Sequence, residues 1–495
     1  MFPTDALSST LTSVPNLSGP IPSHGDSYPF SSASRQVQAL DLRDFGYVEE
    51  EFFASGAANV YEAEADAEGN PLVAETEIPY TNRLLVRRPA DPAAASGTVW
   101  VDIMNASNGF DVEDHWRRAW NHWMAEGDTY IGVTSKPIQI DALKNFDPVR
   151  YAPLTWDLPG SDARRPLIAV EGAWNPMQEL PGTEEGLVWD ILTQVGGLLR
   201  SDRVTELIAT KPERIFLIGQ SQSAVYLNTW IAGFHAATSA AHGRTLFDGY
   251  LATVGADIRR PLRQGSNRSS GIFATVAPDN VELDVPHITL TAEGDLELFR
   301  GMNTSGLLKE GSLDGPLRRH WQVAGTPHTD LRSGQLPTAE DIRRSGRLPR
   351  VMDRDFLDQL NLIPLEPAVL AAMTALVRWV AEGVPAAPSI YLQTTDDGRA
   401  ERDDFGNALG GIRSGLLEYP LGSFQGSADG GAVYGTQQLL SQDKVRERFP
   451  DSATYLSAVH AQNRTLQEAG YLTELGSQRT LEIAAELWDR IHAAG

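Results

Sequence analysis

One short segment near the middle of the chain constrains the fold more than any other feature of the sequence. An apolar run ends in Gly-Gln-Ser-Gln-Ser, residues 219–223, and a helical pattern continues to Phe234. A strand that turns sharply into a helix needs small residues two places before and two places after the turning serine, because strand and helix pass close together. Gly219 and Ser223 meet that need. The segment therefore predicts a strand, a tight turn that exposes the Ser221 hydroxyl as a nucleophile, and a helix; the alternative is an ordinary turn serine.

The composition narrows the chemistry and the partners that the chain can have. Its 495 residues, 41% of them hydrophobic, suffice for one large domain or for two or three smaller ones. The chain has no cysteine, so disulfides, thiolate metal sites and a cysteine nucleophile are excluded, and covalent chemistry must come from serine, threonine, lysine or a carboxylate. A formal net charge of -24 repels phosphate backbones and anionic lipid. We therefore predict no nucleic-acid partner and no membrane partner.

The N-terminal part of the chain differs in composition from the rest. Its first residues lack the basic and apolar regions of a secretory signal, and nowhere do about 18 apolar residues run together, which predicts a cytoplasmic protein. Residues 1–44 are rich in serine and proline, which is typical of an extended segment that wraps on a surface or stays mobile. We assign this segment no catalytic role.

From residue 45 onward, apolar runs typical of strands alternate with helical patterns. This alternation favours an α/β fold with a mostly parallel central sheet and helices on both faces. Residues 45–384 form the predicted core, with a lid-like irregular insertion at 136–182, and residues 385–495 form a C-terminal extension that packs on the core. Besides the strand before Ser221, strands are predicted at 46–64, 80–88, 97–104, 129–134, 248–254, 286–291 and 320–324. Helices are predicted at 113–126, 184–200, 223–234, 367–382, 451–468 and 477–493.

A serine hydroxyl is a poor nucleophile at neutral pH, so it needs a histidine base and an acid that orients this histidine. The turn at Ser221 resembles the nucleophile turn of α/β-hydrolases, in which the acid and then the histidine follow the serine later in the chain. His328 is the predicted base, because it follows the strand at 320–324, whereas other histidines precede Ser221, lie within predicted helices or begin strands. Asp295 and Glu293 both follow the strand at 286–291. We favour Asp295, which lies further past the strand end, and keep Glu293 as the alternative acid.

A tetrahedral oxyanion needs backbone N–H donors that are already in place. One donor is expected to be the amide of Gln222, directly after the nucleophile. The second is expected in the loop after the strand at 97–104, from the amide of Asn105 or Ala106. The side chain of Asn105 has an alternative role, which is to brace this loop through an Asx-turn.

Two further segments show weak signals for ligand binding. Residues 111–115, Asp-Val-Glu-Asp-His, contain metal-ligand side chains, but acidic residues are also favoured at helix N-termini. Residues 406–411 are rich in glycine but lack the Gly-Lys-Ser/Thr ending of a phosphate-binding loop. We therefore predict no metal and no cofactor, and we expect a small-molecule substrate in a largely apolar pocket.

Taken together, these motifs carry a family resemblance. The chain resembles the α/β-hydrolase superfamily and, more narrowly, large bacterial alpha/beta hydrolase domain-containing proteins, which are similar to serine carboxylesterases. The resemblance covers residues 45–490 and rests on Gly-Gln-Ser-Gln-Ser at 219–223, Ala-Glu-Gly-Asp at 292–295, Val-Ala-Gly-Thr-Pro-His at 323–328 and Gly-Asn-Ala-Leu-Gly-Gly-Ile-Arg at 406–413.

The resemblance implies an α/β-hydrolase fold and hydrolysis of a neutral carboxylic ester through an acyl-enzyme, with Ser221, Asp295 and His328 as the triad. Two alternatives remain open at this point. An acyltransferase would use the same triad with an alcohol in place of water. A non-catalytic binding protein would keep the fold without turnover.

Overall fold

A computed structural model describes residues 10–63, 70–161, 179–265, 281–301, 308, 310–330, 335–350, 354–428 and 433–493. The chain divides into two compact units. The first comprises Met1–Tyr250, Asp257–Val285 and Gly334–Arg350, and the second comprises Leu251–Ala256, Pro286–Ser333 and Val351–Gly495.

The first unit contains a sheet in which antiparallel pairing changes to parallel pairing. Its strands are β1 (Asn16–Ser18), β2 (Tyr47–Tyr61), β3 (Val73–Pro89), β4 (Thr98–Ile103), β5 (Thr129–Val133) and β6 (Arg214–Gln220). Their order is β1-β2-β3-β5-β4-β6. The pairs β1–β2, β2–β3 and β3–β5 are antiparallel, whereas β4 is parallel to both β5 and β6. The carboxyl ends of β4, β5 and β6 therefore lie at one edge, where loops from different parts of the chain come together.

The second unit contains the remaining strands. These are β7 (Gly249–Thr253, whose first two residues belong to the first unit), β8 (His287–Ala292), β9 (Arg318–Val323) and the hairpin β10 (Gly422–Gln425) and β11 (Thr436–Leu439). β8 and β9 are parallel and pair over their whole length. The region after residue 385 extends this pairing, because single bridges join Trp321 to Ile390 and Val323 to Ile412. Residues far apart in the sequence therefore lie directly beside β9.

Helices lie between the strands from β4 to β7, as predicted, whereas β1 to β4 follow one another without an α-helix among the described residues. The helices are α1 (Trp116–Glu126), α2 (Pro137–Phe146), α3 (Val188–Arg200), α4 (Gln222–His242), α5 (Glu293–Gly301), α6 (Ala339–Arg344), α7 (Arg354–Gln359), α8 (Glu366–Glu382), α9 (Gly415–Glu418), α10 (Gln442–Arg448), α11 (Ser452–Glu468) and α12 (Glu474–Ala493). Within the parts of the chain that the structure describes, none of these helices has the length and apolarity needed to cross a bilayer.

The central strands of the first unit are buried on both faces. All six residues of β4 are buried, and the rings of Trp123 from α1 and Phe216 from β6 stack on Trp100. A strand that is buried on both faces reads as a continuous apolar run, which explains why β4 and β6 are readily predicted.

The insertion predicted to be irregular contains a helix. Residues 137–146 form α2, which begins with Pro137 at its first position, where proline's missing N–H costs nothing. Ile138, Gln139, Ile140 and Leu143 are all buried, so a polar side chain lies among the buried residues and weakens the amphipathic pattern that periodicity analysis needs. Residues 162–178 of the predicted insertion lie outside the described residues.

The described part of the N-terminal segment is bound to the first unit. β1 pairs with β2, and the buried guanidinium groups of Arg83 and Arg87 donate to the carbonyl groups of Phe30 and Ser31. The same two arginines form buried ion pairs, Arg83 with Glu51 among them. Residues 16–31 therefore include carbonyl groups that accept hydrogen bonds which these buried guanidinium groups require.

Candidate active site

The predicted nucleophile lies at a sharp turn between a strand and a helix. β6 ends at Gln220 and α4 begins at Gln222, so Ser221 is the single residue between them. Ser221 has φ 56° and ψ -119°, a backbone conformation that residues other than glycine rarely adopt. Such strain persists only where the surrounding structure enforces it, and it is concentrated at functional sites.

The close approach of β6 and α4 explains the small residues on either side of Ser221. A Cβ atom at Gly219 would lie 2.6 Å from the carbonyl carbon of Ser223 and 2.9 Å from the amide nitrogen of Ala224. These are backbone atoms, which have no rotamer that relieves the clash. Ser223 itself is buried. The steric condition inferred from the sequence is therefore present at Gly219.

The last residue of β6 is held by two side chains of the first unit. Arg118 Nη1 donates to Gln220 Oε1 at 2.9 Å, and Asn105 Nδ2 donates to the Gln220 carbonyl oxygen at 2.9 Å. Arg118 lies on α1, and Asn105 lies in the loop after β4. Both the side chain and the backbone of Gln220 are thus fixed immediately before Ser221.

Asn105 also shapes the loop in which the second oxyanion donor was predicted. Its Oδ1 accepts the N–H of Ser107 at 2.7 Å, which is the Asx-turn considered as an alternative above. The N–H of Asn105 donates to the Val112 carbonyl at 2.9 Å. No described residue places an acceptor within hydrogen-bonding distance of the Ala106 N–H. Of the two predicted amides, that of Ala106 is therefore better suited to receive an oxyanion, while Asn105 braces the loop.

The predicted histidine and acid are hydrogen-bonded to each other in the second unit. Asp295 Oδ1 lies 2.6 Å from His328 Nδ1, and Asp295 Oδ2 accepts the N–H of Ala292 at 2.8 Å. Both side chains are buried. Asp295 lies in the first turn of α5, which begins directly after β8.

The alternative acid, Glu293, has different partners. Its Oε2 accepts the N–H of Gly325 at 2.7 Å, its Oε1 accepts the N–H of Gly426 at 3.1 Å, and Arg402 Nη1 lies 2.8 Å from Oε1. Both carboxylate oxygens are thus engaged by groups other than an imidazole. The geometry favours Asp295 as the residue that orients His328.

The acidic segment 111–115 is used within the first unit for ion pairing. Asp111 pairs with Arg83, Glu113 with Arg87, Asp114 with Arg117, and His115 Nδ1 with Asp102. Burial raises the pKa of Asp111 to about 6, although Arg83 opposes this shift. Among the described residues, no three His, Asp or Glu side chains are arranged to hold a metal ion.

Two supporting residues had no signal in the sequence. Asn361 Nδ2 donates to the Gly325 carbonyl oxygen at 2.7 Å, and Arg402 pairs with Glu293. Both support the loop that carries His328, yet neither lies within 30 residues of it. Only the fold brings them there.

Similarity to solved structures is weak. The chain is 12% identical to a prolyl endopeptidase, with 61% of this chain and 38% of that chain covered and a TM-score of 0.27. It is 9% identical to the rice cell wall degrading esterase LipA from Xanthomonas oryzae, with 43% of each chain covered and a TM-score of 0.22. For esterase B from Lactobacillus rhamnosis the values are 12% identity, 55% and 75% coverage and a TM-score of 0.26. The chain thus spans less than half the length of the first two of these proteins.

Sequence comparison identifies the family. No curated protein matches the chain. The family described as alpha/beta hydrolase domain matches residues 17–482, which is most of the chain and includes every predicted site residue. The strand-to-helix turn at Ser221 and the parallel strands around it agree with that family's fold. The chain therefore belongs to the alpha/beta hydrolase domain family and has the α/β-hydrolase fold.

Proposed function

We propose that this protein cleaves carboxylic esters through an acyl-enzyme formed on Ser221, with His328 as the base and Asp295 as the acid that orients it. The observation that carries the proposal is the buried 2.6 Å bond between Asp295 Oδ1 and His328 Nδ1. A buried carboxylate at Nδ1 fixes the tautomer in which Nε2 accepts a proton and stabilises the imidazolium that results. The positive φ of Ser221 supports its role as the nucleophile.

The proposed reaction has two halves. Ser221 Oγ attacks the ester carbonyl carbon while His328 Nε2 takes the hydroxyl proton, and the tetrahedral intermediate collapses as His328 returns that proton to the leaving alcohol. Water then attacks the acyl-enzyme in the same way, with His328 again as the base, and releases the acid and the Ser221 hydroxyl.

The oxyanion of each tetrahedral intermediate needs two N–H donors. We propose the amide of Gln222, which opens α4 directly after the nucleophile. We propose Ala106 as the second donor, because the Asn105 N–H already donates to Val112. The net charge of -24 disfavours anionic substrates, so neutral esters with apolar acyl groups are the expected class.

The proposal is tested by turnover of a panel of esters. p-Nitrophenyl esters of increasing acyl length, aryl esters and lactones are assayed with the wild type, with Ser221→Ala and with Ser239→Ala. Ser239 is a matched control, since it lies on the same helix and its hydroxyl has no hydrogen-bond partner among the described residues.

We expect turnover of at least one ester class, a fall of roughly 10⁴-fold or more in kcat for Ser221→Ala, and no change for Ser239→Ala. Retention of most activity by folded Ser221→Ala would contradict the proposal. Turnover only in the presence of an added alcohol acceptor would show that the enzyme is an acyltransferase instead.

A further inference from the structure

The loop that carries His328 is fixed by bonds from outside the loop. This histidine loop comprises residues 325–329, directly after β9. At its start, the Gly325 N–H donates to Glu293 Oε2, and the Gly325 carbonyl accepts from Asn361 Nδ2, both at 2.7 Å. The peptide groups that set the path of the loop are therefore bound by side chains from two distant parts of the sequence.

Glu293 is at the centre of these contacts. Its side chain is only 3% exposed, and its carboxylate accepts N–H groups from both Gly325 and Gly426. The guanidinium of Arg402 provides the opposite charge at 2.8 Å. A buried carboxylate is tolerated only when it is paired and hydrogen-bonded, and here both conditions are met.

The C-terminal region packs directly on the histidine loop. A Cβ atom at Gly426 would lie 2.5 Å from the Gly294 amide nitrogen and 2.7 Å from the Thr326 carbonyl oxygen. Gly294 also donates its N–H to that same Thr326 oxygen at 3.0 Å. The backbone at Gly426, the first turn of α5 and the histidine loop are thus in van der Waals contact, and no larger residue fits at position 426.

Arg402 is itself anchored in the C-terminal region. Its Nη1 donates to the Gly406 carbonyl at 3.2 Å, and a β-bridge joins Arg402 to Ala408. The glycine-rich block 406–413 therefore has a structural consequence near His328: it holds the arginine that neutralises Glu293.

Glu293 and Asp295 connect the same two elements. Both lie in the first turn of α5, and both bind the histidine loop, Glu293 at Gly325 and Asp295 at His328. Resting on the proposed function, in which His328 is the base, we propose that Glu293 is a positioning residue for His328 and that Arg402 holds Glu293 in place. The region after residue 385 is then a required part of the active site.

Loss of either partner should displace the imidazole without removing it. Without Arg402, the carboxylate of Glu293 has lost its opposite charge in a buried site. In Glu293→Gln, an NH₂ group faces one of the two backbone N–H donors that the carboxylate accepted. Catalytic geometry is sensitive to shifts below about 1 Å, so kcat should fall while KM changes little.

The test uses the full-length protein with Arg402→Gln, Arg402→Lys and a control, Arg399→Gln. Arg399 pairs with Asp397 at 3.0 Å, and both of these side chains are more than half exposed. For Arg402→Gln we expect a roughly tenfold lower kcat with KM within about twofold and an altered pH profile of kcat/KM. Arg402→Lys should recover much of the loss, and Arg399→Gln should match the wild type.

A double-mutant cycle and a spectroscopic readout complete the test. Glu293→Gln should lower kcat far less in the Arg402→Gln background than in the wild-type background, because the two residues act as a pair. The proton between Asp295 and His328 should give a downfield ¹H NMR signal that is lost in Asp295→Asn and shifted in Arg402→Gln. If Glu293→Gln does not fold, the Arg402 variants decide the test.

Wild-type kcat and an unshifted proton signal in folded Arg402→Gln would overturn the inference, as would equal losses in Arg399→Gln. The NMR signal does not depend on turnover. Failure of the ester assay therefore counts against the proposed function, while an unshifted signal counts against the positioning role.

Discussion

The two halves of the proposed triad are built in different ways. Ser221 owes its conformation to a local stretch of the first unit, where Gly219 lets β6 and α4 approach closely and the serine takes a positive φ. His328 and Asp295, in the second unit, are joined to each other across 33 residues of sequence, and the loop before His328 is bound by Glu293, which pairs with Arg402. Local sterics set the first half, although Arg118 and Asn105 also hold Gln220 before the turn, whereas the second half depends on long-range polar contacts.

This difference predicts different failures. Added bulk should break the half that contains Ser221, because backbone atoms there cannot move aside. Loss of a hydrogen bond or a charge should break the half that contains His328, because buried polar groups there would lose their partners. Four substitutions test this contrast.

Asp295→Asn tests the half that rests on polar contacts. It removes the charge that orients His328 while preserving size, so kcat should fall by up to about 10⁴-fold with little change in KM. Glu293→Gln should lower kcat roughly tenfold. Steady-state kinetics of both folded variants check this, and the assignment of the acid moves to Glu293 if the order of the two effects is reversed.

Gly219→Ala tests the half that rests on sterics. The new Cβ would clash with backbone atoms of Ser223, so the free energy of unfolding should fall by about 3 kcal/mol and turnover should be lost. Gly233→Ala, on α4, is the control, because its Cβ would meet only Pro71 and Leu262, at 3.7 and 3.9 Å. There, urea titrations should show equal or greater stability than in the wild type. Equal destabilisation of both variants would contradict the steric account.

Asn105→Ala asks whether the half that contains Ser221 also depends on a polar brace. The change removes the bonds to the Gln220 carbonyl and to the Ser107 N–H, so the amide of Ala106 should lose its fixed position. We expect kcat to fall about tenfold. Asn145→Ala, whose side chain makes only long bonds of 3.4 Å, should match the wild type in the same assay.

Asp190→Asn tests a second kind of buried carboxylate. Asp190 has neutral hydrogen-bond partners, whereas Glu293 is paired with the cation Arg402. Asp190 accepts the Asn59 N–H at 2.6 Å and the Tyr61 hydroxyl at 2.5 Å, and burial raises its pKa to about 7. The folded protein keeps this proton to higher pH than the unfolded chain. The stability that Asp190 contributes below about pH 4 is therefore lost as pH rises through about 7.

Between about pH 5 and about pH 8, the free energy of unfolding should fall less in Asp190→Asn than in the wild type. The difference should be on the order of 2 kcal/mol. Urea unfolding at both pH values measures this difference. Parallel losses in the wild type and Asp190→Asn would show that Asp190 is already ionised in the folded protein at the lower pH.

Features set by local residues are predictable from the sequence, whereas features set by long-range contacts are not. The turn at Ser221 was predictable because its constraints lie within five residues, and the buried strand β4 was predictable because it is a continuous apolar run. The helix α2 is not predicted because polar Gln139 is buried along with its apolar residues, which weakens the amphipathic pattern.

The sequence favours Asp295 over Glu293 only because Asp295 lies further past the strand end. Both lie in one helical turn after β8, and only their partners distinguish them. Asp295 binds His328, whereas Glu293 binds Gly325 and Arg402. Likewise, nothing local shows that the Asn105 N–H is already used by the Val112 carbonyl. Contacts across a long sequence separation leave no periodic or spacing signal.

Covalent labelling tests the central claim most directly. The protein is treated with a fluorophosphonate, digested and analysed by peptide mass mapping, with Asp295→Asn and Ser239→Ala treated in parallel. The account predicts one phosphonate adduct, located on Ser221, with slower labelling in Asp295→Asn and unchanged labelling in Ser239→Ala. A folded, ester-hydrolysing protein that carries no adduct on Ser221, or carries it on another serine, would contradict the account.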